Sequence, residues 1–152
     1  MKFIISLFYW IIIFPAIKLV MFPISLTVWI FTVLFDKNLR LLHFFANVWG
    51  SLYIWLNPFL SVDISGKENI DPEKIYVVTP NHSSLLDIPA IHMLFMRFKW
   101  ISKASLKRVP FLGWNMVLNK TVFISRMDPK SQMEMMRTCE HNLDIGNSIM
   151  IF

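Results

Sequence analysis

The stretch Ile75-Tyr76-Val77-Val78-Thr79-Pro80-Asn81-His82-Ser83-Ser84-Leu85-Leu86-Asp87-Ile88-Pro89 decides the fold of this chain. It begins with an apolar, β-branched run, the mark of a buried strand covering Lys74 to Thr79. It ends in Ile88-Pro89-Ala90-Ile91-His92-Met93-Leu94-Phe95-Met96, which reads as a helix over 87–96. His82 therefore lies where a strand turns into a helix, and open α/β sheets keep their ligand sites at such strand ends. His82 and Asp87 are five residues apart, and five residues of one continuous helix rotate about 140° past a full turn. The two side chains can meet only if the helix starts between them or at Asp87. Pro89 agrees, because proline is comfortable in a first turn and disruptive further in. In that arrangement Asp87 holds the imidazole through one nitrogen, and the other nitrogen serves as a base toward a hydroxyl. The same residues also read as local structure, with Asp87 an N-cap or Ser84-x-x-Asp87 a capping box.

Working outward, strands alternate with helices. Ser61-Val62-Asp63-Ile64 reads as a short strand, with turns at Gly66 and Asp71-Pro72. Lys99-Trp100-Ile101-Ser102 is a strand, Ser105 to about Val117 is mostly helical, and Thr121-Val122-Phe123-Ile124-Ser125 is a strand. Asp128 to Leu143 is a helix closed by Gly146, and Asn147–Phe152 starts another strand. This order predicts an α/β fold: a mainly parallel or mixed sheet with flanking helices. A domain seldom ends on an apolar strand such as Ser148-Ile149-Met150-Ile151-Phe152, whose unpaired edge would be exposed. The expectation is that this chain is part of a longer protein.

The first sixty residues differ in kind. Residues 3–35 are almost wholly apolar, broken by Lys18 between Pro15 and Pro23. As one helix the run would be about 50 Å long against roughly 30 Å of bilayer hydrocarbon. Asp36-Lys37-Asn38-Leu39-Arg40 is a polar break, and residues 41–60 are apolar again, with interfacial aromatics at Trp49, Tyr53 and Trp55. No small-residue cleavage site follows Lys2 and its apolar core, which argues against a removable leader. The division expected is 1–60, a pair of apolar helices docked on or in a membrane, and 61–152, the front part of an α/β domain.

The chain has 152 residues, is 55% hydrophobic and carries a net charge of +5. One cysteine, Cys139, rules out an intrachain disulfide. Arg97 to Lys130 holds eight basic residues and one acid, Asp128, so that segment carries +7 and the remainder −2. Such a field suits an anionic partner, a phosphate or an acidic headgroup. Nucleic acid is disfavoured because no reading element accompanies the charge. The four glycines form no phosphate-cradling loop, no serine lies in a nucleophile elbow, and no His, Cys or acid cluster has metal spacing. His43, His92 and His141 read as structural. Arg126 closes Val122-Phe123-Ile124-Ser125-Arg126 at a strand end, where its planar fork suits a phosphate monoester. Lys103 follows the strand at 99–102 and reads either as a surface lysine or as a phosphate ligand.

Asn81, His82, Ser84 and Asp87 resemble the Asn-His-x-Ser-x-x-Asp block of the glycerolipid acyltransferases, typified by 1-acylglycerol-3-phosphate acyltransferases. Phe123, Ile124 and Arg126 resemble the family's second block, with Lys120 where a glycine is frequent and Ser125 where an acid is frequent. Lys103-Ala104-Ser105-Leu106 with Pro110-Phe111-Leu112-Gly113-Trp114 is also similar. The third block, Phe-Pro-Glu-Gly-Thr-Arg, would begin at Ile151-Phe152. The resemblance implies a general base at His82 partnered by Asp87, and substrate contacts from Arg126, Lys103, Ser84 and Asn81. It implies acyl transfer from acyl-CoA or acyl-carrier protein to the sn-2 hydroxyl of a membrane lysophosphatidic acid, giving phosphatidic acid for phospholipid synthesis. No metal or cofactor is implied beyond the thioester co-substrate, and the catalytic part would face the cytoplasm. The rival expectations are an acyltransferase for glycerol 3-phosphate or an aminolipid, and a noncatalytic, membrane-anchored binder of anionic lipid.

Overall fold

A computed structural model describes residues 2–36 and 38–152; Lys37 of the polar break lies outside the described residues. The contacts divide the chain into two units, Met1–Lys67 with Ser84–Phe95, and Glu68–Ser83 with Met96–Phe152.

The first unit is helical. Helices α1 (Lys2–Phe8) and α2 (Phe14–Thr32) are joined by a π-helical turn at Tyr9–Ile13. Pro15 follows that turn directly, and its ring and missing N–H conflict with the carbonyl four residues back. A widened turn just before it is where a helix absorbs such a conflict. The joined helix Lys2–Thr32 has 31 residues and a mean hydropathy of 2.2. By length and composition it suffices to cross a bilayer, being about 46 Å long. Its outer face is bare apolar surface from Phe3 to Phe35. Lys18 lays its ammonium over the Phe14 ring, 4.2 Å from the centroid.

Helix α3 (Arg40–Trp55) returns against α2 through a core of Ile17, Met21 and Trp49. Its N-terminus starts from Leu39 in the left-handed region, φ 53°. Asp36 Oδ2 accepts from the Leu41 N–H at 2.9 Å, a cap supplied from outside the helix. Tyr9 Oη donates to the Tyr53 carbonyl at 2.5 Å, and Trp49 Nε1 donates to Tyr53 Oη at 3.0 Å. Helix α4 (Asp87–His92) packs on α3 where Gly50 makes room. A β-carbon on Gly50 would lie 2.5 Å from His92 Cγ.

The second unit is a four-stranded sheet in the order β1-β4-β2-β3, with every pairing parallel. The strands are β1 (Val77–Val78), β2 (Phe98–Lys103), β3 (Val122–Ile124) and β4 (Ser148–Met150). Strand β4 is central and fully buried, as its mostly apolar run requires. Ser148 interrupts that run. Its Oγ accepts from the Tyr76 N–H at 3.0 Å, so a side chain extends the β1–β4 ladder by one bond. Helix α5 (Leu112–Leu118) follows a 3-10 turn at Ala104–Arg108. Helix α6 (Pro129–Asp144) starts on Asp128, whose Oδ1 accepts from the Lys130 N–H, and ends before Gly146 at φ 87°.

The α/β expectation with a parallel sheet and flanking helices is met. Several boundaries move. Ser61–Ile64 is irregular and pairs with no described strand. The helix expected to reach Met96 stops at His92, because Phe95 turns left-handed at φ 54° and carries its ring against Phe44 and Trp55 of α3. The helix expected over 105–117 is broken at Pro110. Val109 before it is extended, at φ −76° and ψ 118°, as residues preceding proline are, and Phe111 is at φ 61°. Gly113 then packs so close to the 3-10 turn that a β-carbon would lie 2.5 Å from the Lys107 carbonyl oxygen.

Candidate active site

Parallel pairing puts all the strand carboxyl ends of the second unit on one edge. Asn81 and His82 follow β1, Lys103 is the last residue of β2, and Arg126 stands two residues beyond β3. Phe152 stands two residues beyond β4. His82, Lys103 and Arg126 are all exposed there. In register Lys103 lies beside Ile124, so Arg126 leaves the neighbouring strand two residues, about 7 Å, further along. From β3 to β4 is two strand spacings, about 10 Å.

The imidazole of His82 is placed by a ring. It stacks on Phe152 with centroids 4.1 Å apart and planes 23° apart. Phe152 in turn meets Trp100 of β2 at 5.4 Å, and Trp100 meets the buried Phe98 edge-on at 4.9 Å. The His82 ring is thus tied to the sheet through three further rings. Sequence reading missed this stack, because it depends on the strand order, which brings β4 beside β1.

Ser84 and Asp87 belong to the helical unit and open α4. Asp87 Oδ2 accepts from the Ser84 N–H at 2.8 Å, and Ser84 Oγ accepts from the Leu86 N–H at 3.2 Å. The Ser84 N–H to Asp87 bond is the one half of a capping box that forms, since the Ser84 hydroxyl takes the Leu86 N–H and not that of Asp87; the helix starts at Asp87, as Pro89 requires, behind Leu86, which makes no side-chain cap. Behind it, His92 Nδ1 meets Asn47 Oδ1 at 2.8 Å. An amide oxygen only accepts, so Nδ1 carries the proton. Burial pushes the His92 imidazole down to about 4. His92 is structural, as expected, and it anchors the helix that Asp87 begins.

The basic segment divides by burial. Lys103, Lys107, Arg108 and Arg126 stay at the surface, with Lys107 Nζ 4.6 Å from the centroid of Phe123. Lys99, counted from the sequence in the surface field, is instead buried. Its Nζ donates to the Asn119 carbonyl at 3.0 Å. It is the second residue of β2, where both Phe98 and Lys99 are buried. Cys139 lies half-buried on α6, its thiol pushed up chiefly by burial and then by Glu140. Among the described residues, no three His, Cys, Asp or Glu side chains are grouped to hold a metal ion.

Residues 61–152 match the acyltransferase family model. The chain belongs to the acyltransferase family. It is 38% identical over 126 residues to the chloroplastic 1-acyl-sn-glycerol-3-phosphate acyltransferase of Arabidopsis thaliana, covering 80% of this chain and 34% of that protein. It is 37% identical over 126 residues to the chloroplastic 1-acyl-sn-glycerol-3-phosphate acyltransferase of Brassica napus, with 80% and 36% covered. To the 1-acyl-sn-glycerol-3-phosphate acyltransferase of Chlamydomonas reinhardtii it is 39% identical over 120 residues, with 78% and 36% covered. The chain thus spans about a third of the length of these relatives. No solved structure matches it. Within the matched region, Asn81 and His82 belong to the sheet unit, and Ser84 and Asp87 to the helical unit.

Proposed function

We propose that the protein transfers a fatty acyl group from a thioester, acyl-CoA or acyl-carrier protein, to the sn-2 hydroxyl of 1-acylglycerol 3-phosphate, giving phosphatidic acid. His82 takes the hydroxyl proton as that oxygen attacks the thioester carbonyl. The tetrahedral intermediate collapses, the C–S bond breaks, and the thiolate leaves with a proton returned by the imidazolium. The spacing of the first block supports Asp87 as the carboxylate that orients the ring, with Ser84 and Asn81 shaping the turn between them. Arg126 and Lys103 hold the acceptor phosphate.

One observation carries this reading: a histidine after β1 and two cations at the ends of the adjoining strands β2 and β3 share the carboxyl edge of one parallel sheet, with β4 between β1 and β2. The phosphate and the reacting hydroxyl sit on adjacent carbons of the acceptor. A long guanidinium arm at β3 is therefore suited to hold the phosphate while the hydroxyl reaches the His82 ring beside β4. The relatives' names support the acceptor. The bare apolar face of Lys2–Thr32 supports a membrane-docked enzyme drawing its acceptor from the bilayer; the orientation proposed for it turns the catalytic part toward the cytoplasm.

The test is acyl transfer to 1-oleoylglycerol 3-phosphate by the full-length protein in detergent micelles. His82→Ala is expected to lower kcat at least roughly a hundredfold, the low end for a general base, with acceptor binding retained. Transfer that persists in His82→Ala refutes the base assignment. Binding without any transfer by the wild type would leave a noncatalytic lipid binder.

A further inference from the structure

The stack on His82 has a geometry that simple packing does not need. We propose that Phe152 is a positioning residue that sets the plane of the His82 imidazole. This rests on the reading of His82 as the base. The two rings lie nearly parallel at 4.1 Å, an offset or face-on contact. A ring held through its face loses rotation about its own side-chain bonds. Both imidazole nitrogens lie in the ring plane, so such a hold takes no hydrogen-bonding capacity from them.

The support behind Phe152 is rigid. Met150 of β4 is in register with Trp100 and with Val78 of β1, so these three share one face of the sheet. The Ile151 N–H donates to the Val78 carbonyl at 3.0 Å, which carries the β4 backbone past its last paired residue and aims Phe152 along β1. Trp100 backs Phe152, and Phe98, only 2% exposed, backs Trp100. The exposed histidine at the edge is thus braced by a buried aromatic at the start of β2.

The rival is that Phe152 only covers the apolar sheet end. Volume alone then matters, and leucine serves as well as phenylalanine. The proposal requires a flat ring, which tyrosine keeps and leucine lacks. The first measurement is the side-chain proton spectrum of His82 in the wild type, assigned by its loss in His82→Gln. The face of Phe152 is expected to shift these protons upfield of a free imidazole; unshifted protons overturn the proposal without any variant at Phe152. In Phe152→Leu the shift is expected to vanish and kcat to fall roughly 2- to 12-fold, the worth of one aromatic pair. KM for donor and acceptor should stay within about twofold, since only orientation in the transition state is lost. Phe152→Tyr restores both the shift and kcat. Equal kcat in Phe152→Leu and the wild type, or a loss that tyrosine does not restore, overturns the positioning role. Transfer that persists in His82→Gln, with the proton shift present in the wild type, instead refutes the base assignment and leaves the stack standing.

Discussion

Acid should loosen the helix that begins at Asp87. His92 is held neutral with Nδ1–H directed at Asn47 Oδ1, and burial lowers its value from 6.5 to about 4. The unfolded segment therefore binds a proton at a higher pH than the folded one. The resulting stability is complete above 6.5 and is lost as pH falls through 4. At one proton and about 1.4 kcal/mol per unit, the span amounts to about 3 kcal/mol, of which about 2 kcal/mol is gone by pH 5. The assay is hydrogen exchange of the backbone amides of Ala90 in α4 and of Met93, which closes it, corrected for intrinsic exchange. The opening free energy should fall by that amount between pH 8 and pH 5. In His92→Gln, which keeps a donor toward Asn47 without titrating, the pH dependence should disappear. An opening free energy that stays level in the wild type, or a slope that survives in His92→Gln, refutes the argument.

Two further predictions follow from contacts. Gly50→Ala puts a β-carbon 2.5 Å from His92 Cγ, so it should displace α4 and cost about 1–3 kcal/mol, as overpacking does; an unchanged melting temperature and unchanged exchange in α4 would show that the contact gives way freely. Arg126→Gln should raise KM for the phosphate-bearing acceptor roughly ten- to a hundredfold, the worth of a charge-assisted hydrogen bond, with Arg126→Lys intermediate. Steady-state kinetics with a phosphate-free monoacylglycerol as second acceptor gives the control, and an equal rise in KM for both would remove the phosphate from the assignment.

Strand–helix alternation, the caps of α6 and the two apolar segments before residue 60 were legible in the sequence. Each depends on neighbours within one or two turns: Asp128 before Pro129, Gly146 after Asp144, and the almost wholly apolar run from Phe3 to Phe35. Residue type also named His82, Lys103 and Arg126, because few side chains can act as a neutral base or grip a phosphate. The break at Pro110 was written in the chain as well, but helical periodicity on both sides masked it. Proline's effect on Val109 outweighed that periodicity.

Three features needed the tertiary structure. Lys99 looks like its basic neighbours in sequence, yet it is buried in β2 with its ammonium on the Asn119 carbonyl. Gly50 and His92 are far apart in the chain, and only the packing of α4 on α3 makes the glycine necessary. Phe152 reaches His82 because the last strand inserts between β1 and β2, and nothing local to either residue encodes that order. Sequence determines which groups are available and how short segments bend, since those are short-range effects. Which groups become neighbours is set by strand order and helix packing, where burial of the whole apolar surface decides.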